Sequence, residues 1–275
     1  MKRLLALMGV VIIPALSQIE HGSVGVVYFT DKKIVMAADS RVTRGSIQSD
    51  DECKVSAFDR QVIFVSTGAT GARSSFPVAI PSWKNSDVAR ASYNRIVQRY
   101  STPRGHVLEL AVDFAESLRS DWSNLAMYDL IGVTRVVSQG ALTAALIGGK
   151  DGDGSLQLFM VLITFNPSTI VGPVGEDVQS ISNCDLKNFC AVGEISVPVE
   201  FLSGISDRAK AEARNWKPTH SVNPRDIDIA RTMRQVELSI RYNQENDVGG
   251  QIDAVQLSRT GRSRWYRRKS NCPAD

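Results

Sequence analysis

G-S-V-G-V-V-Y-F-T-D-K-K-I-V-M-A-A-D-S-R, residues 22–41, is the stretch on which the reading of the fold turns. β-Branched and aromatic residues fill Val24–Thr30, a charged turn follows at Asp31-Lys32-Lys33, and a second apolar run covers Ile34–Ala38. Two such runs across a short polar turn predict a β-hairpin. Lys54–Phe58 and Gln61–Ser66 flank Asp59-Arg60 and predict a second one. Three polar residues stand at the strand ends. Ser23 opens the first strand directly after Gly22, Asp39 closes the second, and Lys54 opens the third. If these strands are neighbours, a hydroxyl, a carboxylate and an ammonium meet at one sheet end. Those groups can serve as nucleophile, orienting acid and pKa-tuning cation. Read more simply, the same residues are turn and surface groups.

Downstream, small residues after Gly68 predict a helix, 76–84 with Pro77, Pro81 and Trp83 a loop, and 87–100 a helix ended by Pro103-Arg104-Gly105. Val107, Ala111, Phe114, Leu118 and Trp122 form one apolar stripe at helical spacing. Leu142–Gly148 and Leu156–Thr164 predict a third hairpin around the turn 150–154. That acidic turn lacks the sixth-position glycine and distal glutamate of a calcium loop, so it is read as a plain turn. Asn223-Pro224 predicts a helix start, carried on by Ile229, Met233, Val236 and Ile240, and Gly249-Gly250 leads into a last strand at Gln251–Ser258. Strands grouped with strands and helices with helices predict an α+β domain with antiparallel sheets.

With 275 residues, 43% hydrophobic and 22% charged, the chain is outside the ranges of disordered, collagenous and coiled-coil sequences. The net charge of +3 is uneven: Arg259–Asp275 holds six basic residues against one acid, so the body is mildly acidic. That speaks against a nucleic-acid partner. The basic tail, 259–275, is read as a solvated, frayed terminus. The four cysteines form no CxxC pair and His21, His106 and His220 show no ligand spacing, so neither a metal nor a cofactor is expected. Cys184 and Cys190 are either a disulfide or two buried thiols, and Cys53 is read as a buried strand thiol. Lys2 and Arg3, the apolar run Leu4–Leu16 and the small-residue site Ala15-Leu16-Ser17 have the three-part pattern of a secretory signal peptide over 1–17. As a signal it predicts export, with no lasting membrane anchor and a short propeptide at 18–22; read instead as a hydrophobic propeptide, it leaves the chain cytoplasmic.

The ordered landmarks resemble the β-type subunits of the 20S proteasome and their bacterial relatives, among the N-terminal-nucleophile (Ntn) hydrolases. A-A-D-S-R at 37–41 sets Asp39 sixteen residues after Ser23, and Gly45, Lys54-Val55 and S-T-G-A-T-G at 66–71 follow in order. L-T-A-A-L-I-G-G-K-D-G-D-G-S-L-Q-L-F at 142–159, A-V-G at 191–193 and V-G-G-Q-I-D at 248–253 extend the resemblance over 23–258. The resemblance implies a four-layer α-β-β-α sandwich and self-cleavage between Gly22 and Ser23. The freed α-amine of Ser23, with an ordinary pKa of about 7.7–8.0, would be the general base. Lys54 held by Asp39 would tune the field, and the Gly68 N–H would hold the oxyanion. Val42, Thr43, Ser66 and Thr70 would line a cleft for a peptide or other amide, in a ring-forming homo-oligomer without a cofactor. The chain departs from the pattern at three points. Serine replaces threonine as nucleophile, Glu194 stands where a serine is expected, and Glu245 and Val248 stand for an aspartate and a serine. These departures leave open a catalytically inactive scaffold, and a secreted binding protein is a third reading.

Overall fold

The first hairpin forms as its sequence predicts. Strand β2 (Val24–Phe29) pairs antiparallel with β3 (Lys33–Ala38), Gly25 opposite Ala38 and Phe29 opposite Ile34. The computed structural model describes residues 18–44, 47–73, 82–137, 142–166, 174–184, 186–216, 226–243 and 247–273. The expected signal segment at 1–17, Gly45, the cap Asn223-Pro224 and Glu245 lie outside the described residues.

This hairpin is the centre of a five-stranded antiparallel sheet. β13 (Phe189–Gly193) pairs with β2, β14 (Asp253–Ser258) with β3, and β15 (Arg264–Arg267) with β14. The second sheet runs β12 (Val174–Ser180), β11 (Leu156–Phe165), β10 (Thr143–Lys150), β7 (Val62–Gly68), β6 (Val55–Phe58), also antiparallel throughout. The sheets meet face to face over Val27, Met36, Val55, Ile63, Val65, Leu146, Leu158 and Val255. Their central strands are buried on both faces, which is why they read as continuous apolar runs rather than alternations.

Helices close both outer faces. α1 (Asn85–Tyr100), α2 (Val107–Tyr128) and α3 (Leu130–Val137) cover the second sheet, and the expected stripe of Phe114, Leu118 and Trp122 packs with Phe64, Ile147 and Val161. α6 (Ile227–Tyr242) lies on the first sheet, where Val236 joins Val24, Val26 and Ala37, and α4 (Ser196–Ser203) and α5 (Asp207–Asn215) flank it. The architecture is the α+β layering of antiparallel sheets that the sequence pattern predicts, in the four-layer α-β-β-α arrangement that the resemblance implies. No helix among the described residues is long and apolar enough to cross a membrane.

Three expectations are corrected. The helix expected after Gly68 is instead β8 (Gly71–Arg73), between β1 (Gln18–Glu20) and β9 (Trp83–Lys84); its small residues serve close strand approach, not helix propensity. The basic tail is not frayed, because β15 extends the first sheet, Lys269 is buried against Asp253, and Cys272 is bonded to Cys53. Cys53 is therefore no free thiol. Cys184 and Cys190 form the second disulfide, one of the two alternatives the sequence left open. β12, V-G-E-D-V-Q-S, escaped detection because it is a largely solvated edge strand without an apolar period.

Candidate active site

Asp39 follows β3 and Lys54 precedes β6, so the ends of two facing sheets bring them together. Both are almost fully buried, with the Lys54 Nζ 3.3 Å from each Asp39 carboxylate oxygen. Asp39 Oδ1 accepts the Val24 N–H at 3.0 Å, and Oδ2 accepts those of Arg41 at 3.1 Å and Gly249 at 3.0 Å. A buried ion pair is tolerated when its remaining hydrogen-bond capacity is filled in this way. Burial pushes the Asp39 carboxyl upward, and Lys54 and the Gly249 and Val24 N–H groups oppose that. Burial likewise lowers Lys54, against the pull of Asp39. Lys54 also donates to the Arg41 carbonyl and, at 2.9 Å, to the carbonyl oxygen of Gly22.

The segment before Ser23 is an added strand. β1 pairs with β8, the Thr70 N–H donates to the Glu20 carbonyl at 2.8 Å, and His21 exchanges hydrogen bonds with Thr43 at 3.1 and 2.8 Å. Residues 18–22, the expected propeptide or leader, thus run between Thr43 and Thr70. Gly22 ends it at φ +93°, where a Cβ would sit 2.7 Å from the Asp247 carbonyl oxygen, so only glycine fits. Beyond the kink, the Ser23 Oγ is buried without a hydrogen-bond partner among the described residues. The Ser23 carbonyl is fixed by the Glu194 N–H at 2.9 Å, over Gly193 at φ +84°.

A cavity of 350 Å³ opens here, lined by His21, Gly22, Ser23, Gly68, Gly193, Glu194 and Asp247 among others. Of the expected site residues, Ser23, Gly22 and Gly68 share this cavity, with Asp39 and Lys54 behind them. Thr43 and Thr70 flank the leader. Val42 and Ser66 are buried and do not line the cavity; the Ser66 N–H donates to the Lys54 carbonyl at 3.1 Å and so fixes the backbone at Lys54. Glu194 reaches the cavity, but its carboxylate accepts from the Ser196 N–H and hydroxyl. Val248 is buried in the core beneath α6. Sequence reading missed Asp247, and although Gly193 and Gly249 stand in its landmarks it gave neither a part in the site. Asp247 lies between positions 245 and 248, where an acid was sought. Burial lowers the His21 pKa, and Asp247 acts against that. Among the described residues no three His, Cys, Asp or Glu side chains gather to hold a metal ion.

No family model and no curated protein matches the chain. Among solved structures it is similar to a Gly-1 mutant of Anbu from Hyphomicrobium sp. strain MC1, 17% identical, with 89% of this chain and 87% of that chain covered and a TM-score of 0.51. The likeness is one of fold, a mixed α+β architecture with antiparallel sheets between helices. The resemblance to 20S proteasome β-type subunits is corrected on the same finding. The structural likeness is to Anbu, and at 17% identity it reaches the fold and not a family.

Proposed function

We propose that this chain is a self-processing Ntn hydrolase of peptide or other amide bonds, with Ser23 as its nucleophile. The observation that carries the reading is the contact of the buried Lys54 ammonium with the Gly22 carbonyl oxygen, one residue before an unpartnered hydroxyl. The Ser23 Oγ adds to the Gly22 carbonyl carbon, and Lys54 stabilises the charge that develops on the oxygen. The C–N bond breaks, the Oγ proton passes to its nitrogen, which becomes the α-amine of Ser23, and Gly22 is held as an ester on Oγ. Water then cleaves the ester, leaving a Gly22 carboxylate and a free N-terminal serine. In the processed chain the α-amine takes the Oγ proton as a substrate carbonyl is attacked, and the Gly68 N–H is the candidate oxyanion donor. One such donor is typically worth about 2.7–4 kcal/mol. The leader marks the path of a substrate strand, paired between Thr43 and Thr70.

Two disulfides support an oxidising compartment, in keeping with the export expected from residues 1–17. Self-association is part of the proposal, and the exposed Met127, Tyr128 and Ile131 at the α2–α3 end offer an apolar surface for it.

Intact mass and N-terminal sequencing of the purified chain test the reading. A chain beginning at Ser23, with Ser23→Ala retaining the leader and losing peptide turnover, is the expected result. An intact Gly22–Ser23 bond in the wild-type chain, with no turnover, would leave the inactive scaffold as the reading.

A further inference from the structure

The three residues that precede Lys54 are each held by the C-terminal segment. The Asn271 side-chain amide donates to the Asp51 carbonyl at 3.2 Å, the Lys269 Nζ to the Glu52 carbonyl, and Cys272 is covalently bonded to Cys53. The segment is anchored in turn. β15 pairs with β14, the Lys269 N–H donates to Asp253 Oδ1 at 2.8 Å, and the Lys269 Nζ lies 3.2 Å from Asp253 Oδ2. Lys269 and Asp253 are both buried. Residues 51–53 belong to no strand, so their own backbone ladder does not hold them. Glu52 has two further ties, its N–H to the Ser40 carbonyl at 3.2 Å and its carboxylate to Lys84 at 2.9 Å.

We propose that the C-terminal segment 264–273 is a strap that positions Lys54 through Lys269, Asn271 and Cys272, so that the site is fully assembled only when Cys53 and Cys272 are bonded. The chemical step is ordinary exchange. A dithiol reductant transfers two electrons and two protons to the disulfide, gives two thiols and is itself oxidised to a disulfide. With the bond open, residues 51–53 lose their covalent tie and water reaches the space around Lys54. The Lys54 backbone keeps its hydrogen bond from the Ser66 N–H, and the side chain swings away from the Gly22 position. The functional half of this inference rests on the reading of Ser23 as nucleophile; the positioning half does not.

Reductive methylation with formaldehyde, mapped by mass spectrometry, tests the positioning half on the whole chain. Lys54 is expected to resist modification in the oxidised protein. It is expected to become labelled in Cys272→Ser, and in wild type treated with dithiothreitol, while a cooperative thermal transition shows that the fold persists. If Lys54 stays protected in both, the strap does not position it. Because Cys272→Ser removes a long-range crosslink and can impair folding, the dithiothreitol arm begins from protein already folded and oxidised. Cys184→Ser/Cys190→Ser, which opens the other disulfide, is the control and is expected to leave Lys54 protected under oxidising conditions.

Turnover of Gln-Ile-Glu-His-Gly-aminomethylcoumarin tests the functional half. Release of the strap is expected to lower kcat by about a hundredfold with KM little changed, because a small displacement of a reacting group costs that much. An unchanged kcat, or a rise in KM alone, would overturn it. Wild-type chain that shows no turnover at all counts against the nucleophile reading instead, and the labelling result still decides the strap.

Discussion

The Nζ of Lys54 lies 2.9 Å from the carbonyl oxygen of Gly22, and the same ammonium is 3.3 Å from both carboxylate oxygens of Asp39. One buried cation therefore holds together the end of the leader and the acid at the end of β3. In the reading proposed here, it polarises the carbonyl that Ser23 attacks.

Removing that cation should separate chemistry from folding. Lys54→Met leaves the Asp39 carboxylate buried without its partner, and breaking one side of a buried pair typically costs about 3–5 kcal/mol. Lys54→Met/Asp39→Asn removes both charges but turns an amide NH2 toward backbone N–H groups whose hydrogen bonds Asp39 accepted, so it should recover only part of that loss and still fail to release the leader. Thermal unfolding and intact mass of the two variants check both statements. A double variant that processes normally would remove Lys54 from the mechanism.

Gly22→Ala tests the kink. At φ +93° an added Cβ would meet the Asp247 carbonyl oxygen at 2.7 Å, so the leader must shift and carry its carbonyl away from Lys54. Processing should slow by about a hundredfold, the usual consequence of a misplaced reacting centre. A time course of intact mass after refolding measures it. Wild-type speed in Gly22→Ala would show that the kink has no part in cleavage.

The first hairpin, the second hairpin and the α2 stripe were legible because burial writes a period into sequence. Asp39 and Lys54 were legible as a pair through the ordered landmarks of the resemblance and not through strand pairing, since β3 and β6 belong to different sheets that face each other. Asp247, by contrast, reaches the cavity from the connection between α6 and β14, and nothing in the local pattern of N-D-V-G-G signals which of its groups turns inward. The partner of Cys53 was illegible for a related reason. Cys272 is 219 residues away, and the arginine-rich run before it hides a strand whose exposed residues are charged.

Leader docking should weaken in acid. Burial holds the His21 pKa below its ordinary value of 6.5, so the docked leader binds fewer protons than a released one between the two values. Docking is then at full strength above pH 6.5 and declines as pH falls through the docked-state value. Hydrogen exchange at the His21 and Thr43 amides of the Ser23→Ala precursor, followed across this range, reports it. His21→Gln should flatten the profile. Asp247→Asn should steepen it, because Asp247 is the charge that favours protonated His21. An unchanged profile in His21→Gln would assign the titration to another group.

The two disulfides should differ in their contribution to stability. In the loop-entropy account, a crosslink stabilises by restricting the unfolded chain, more for a longer loop. Cys184–Cys190 spans a separation of 6 residues and Cys53–Cys272 one of 219. The account gives about 2 kcal/mol for the short loop and about 5 kcal/mol for the long one. Opening the short bridge also leaves β13 paired with β2, since the ladder from Phe189 to Gly193 does not depend on it. Opening the long one frees the strap on which residues 51–53 depend. Urea unfolding of Cys190→Ser and Cys272→Ser should therefore show a small and a large loss of stability, with a steeper slope in Cys272→Ser because its unfolded chain is no longer held compact by the long crosslink. Equal losses would mean that the unfolded chain retains contacts between its two ends, and that chain entropy does not account for the long bridge.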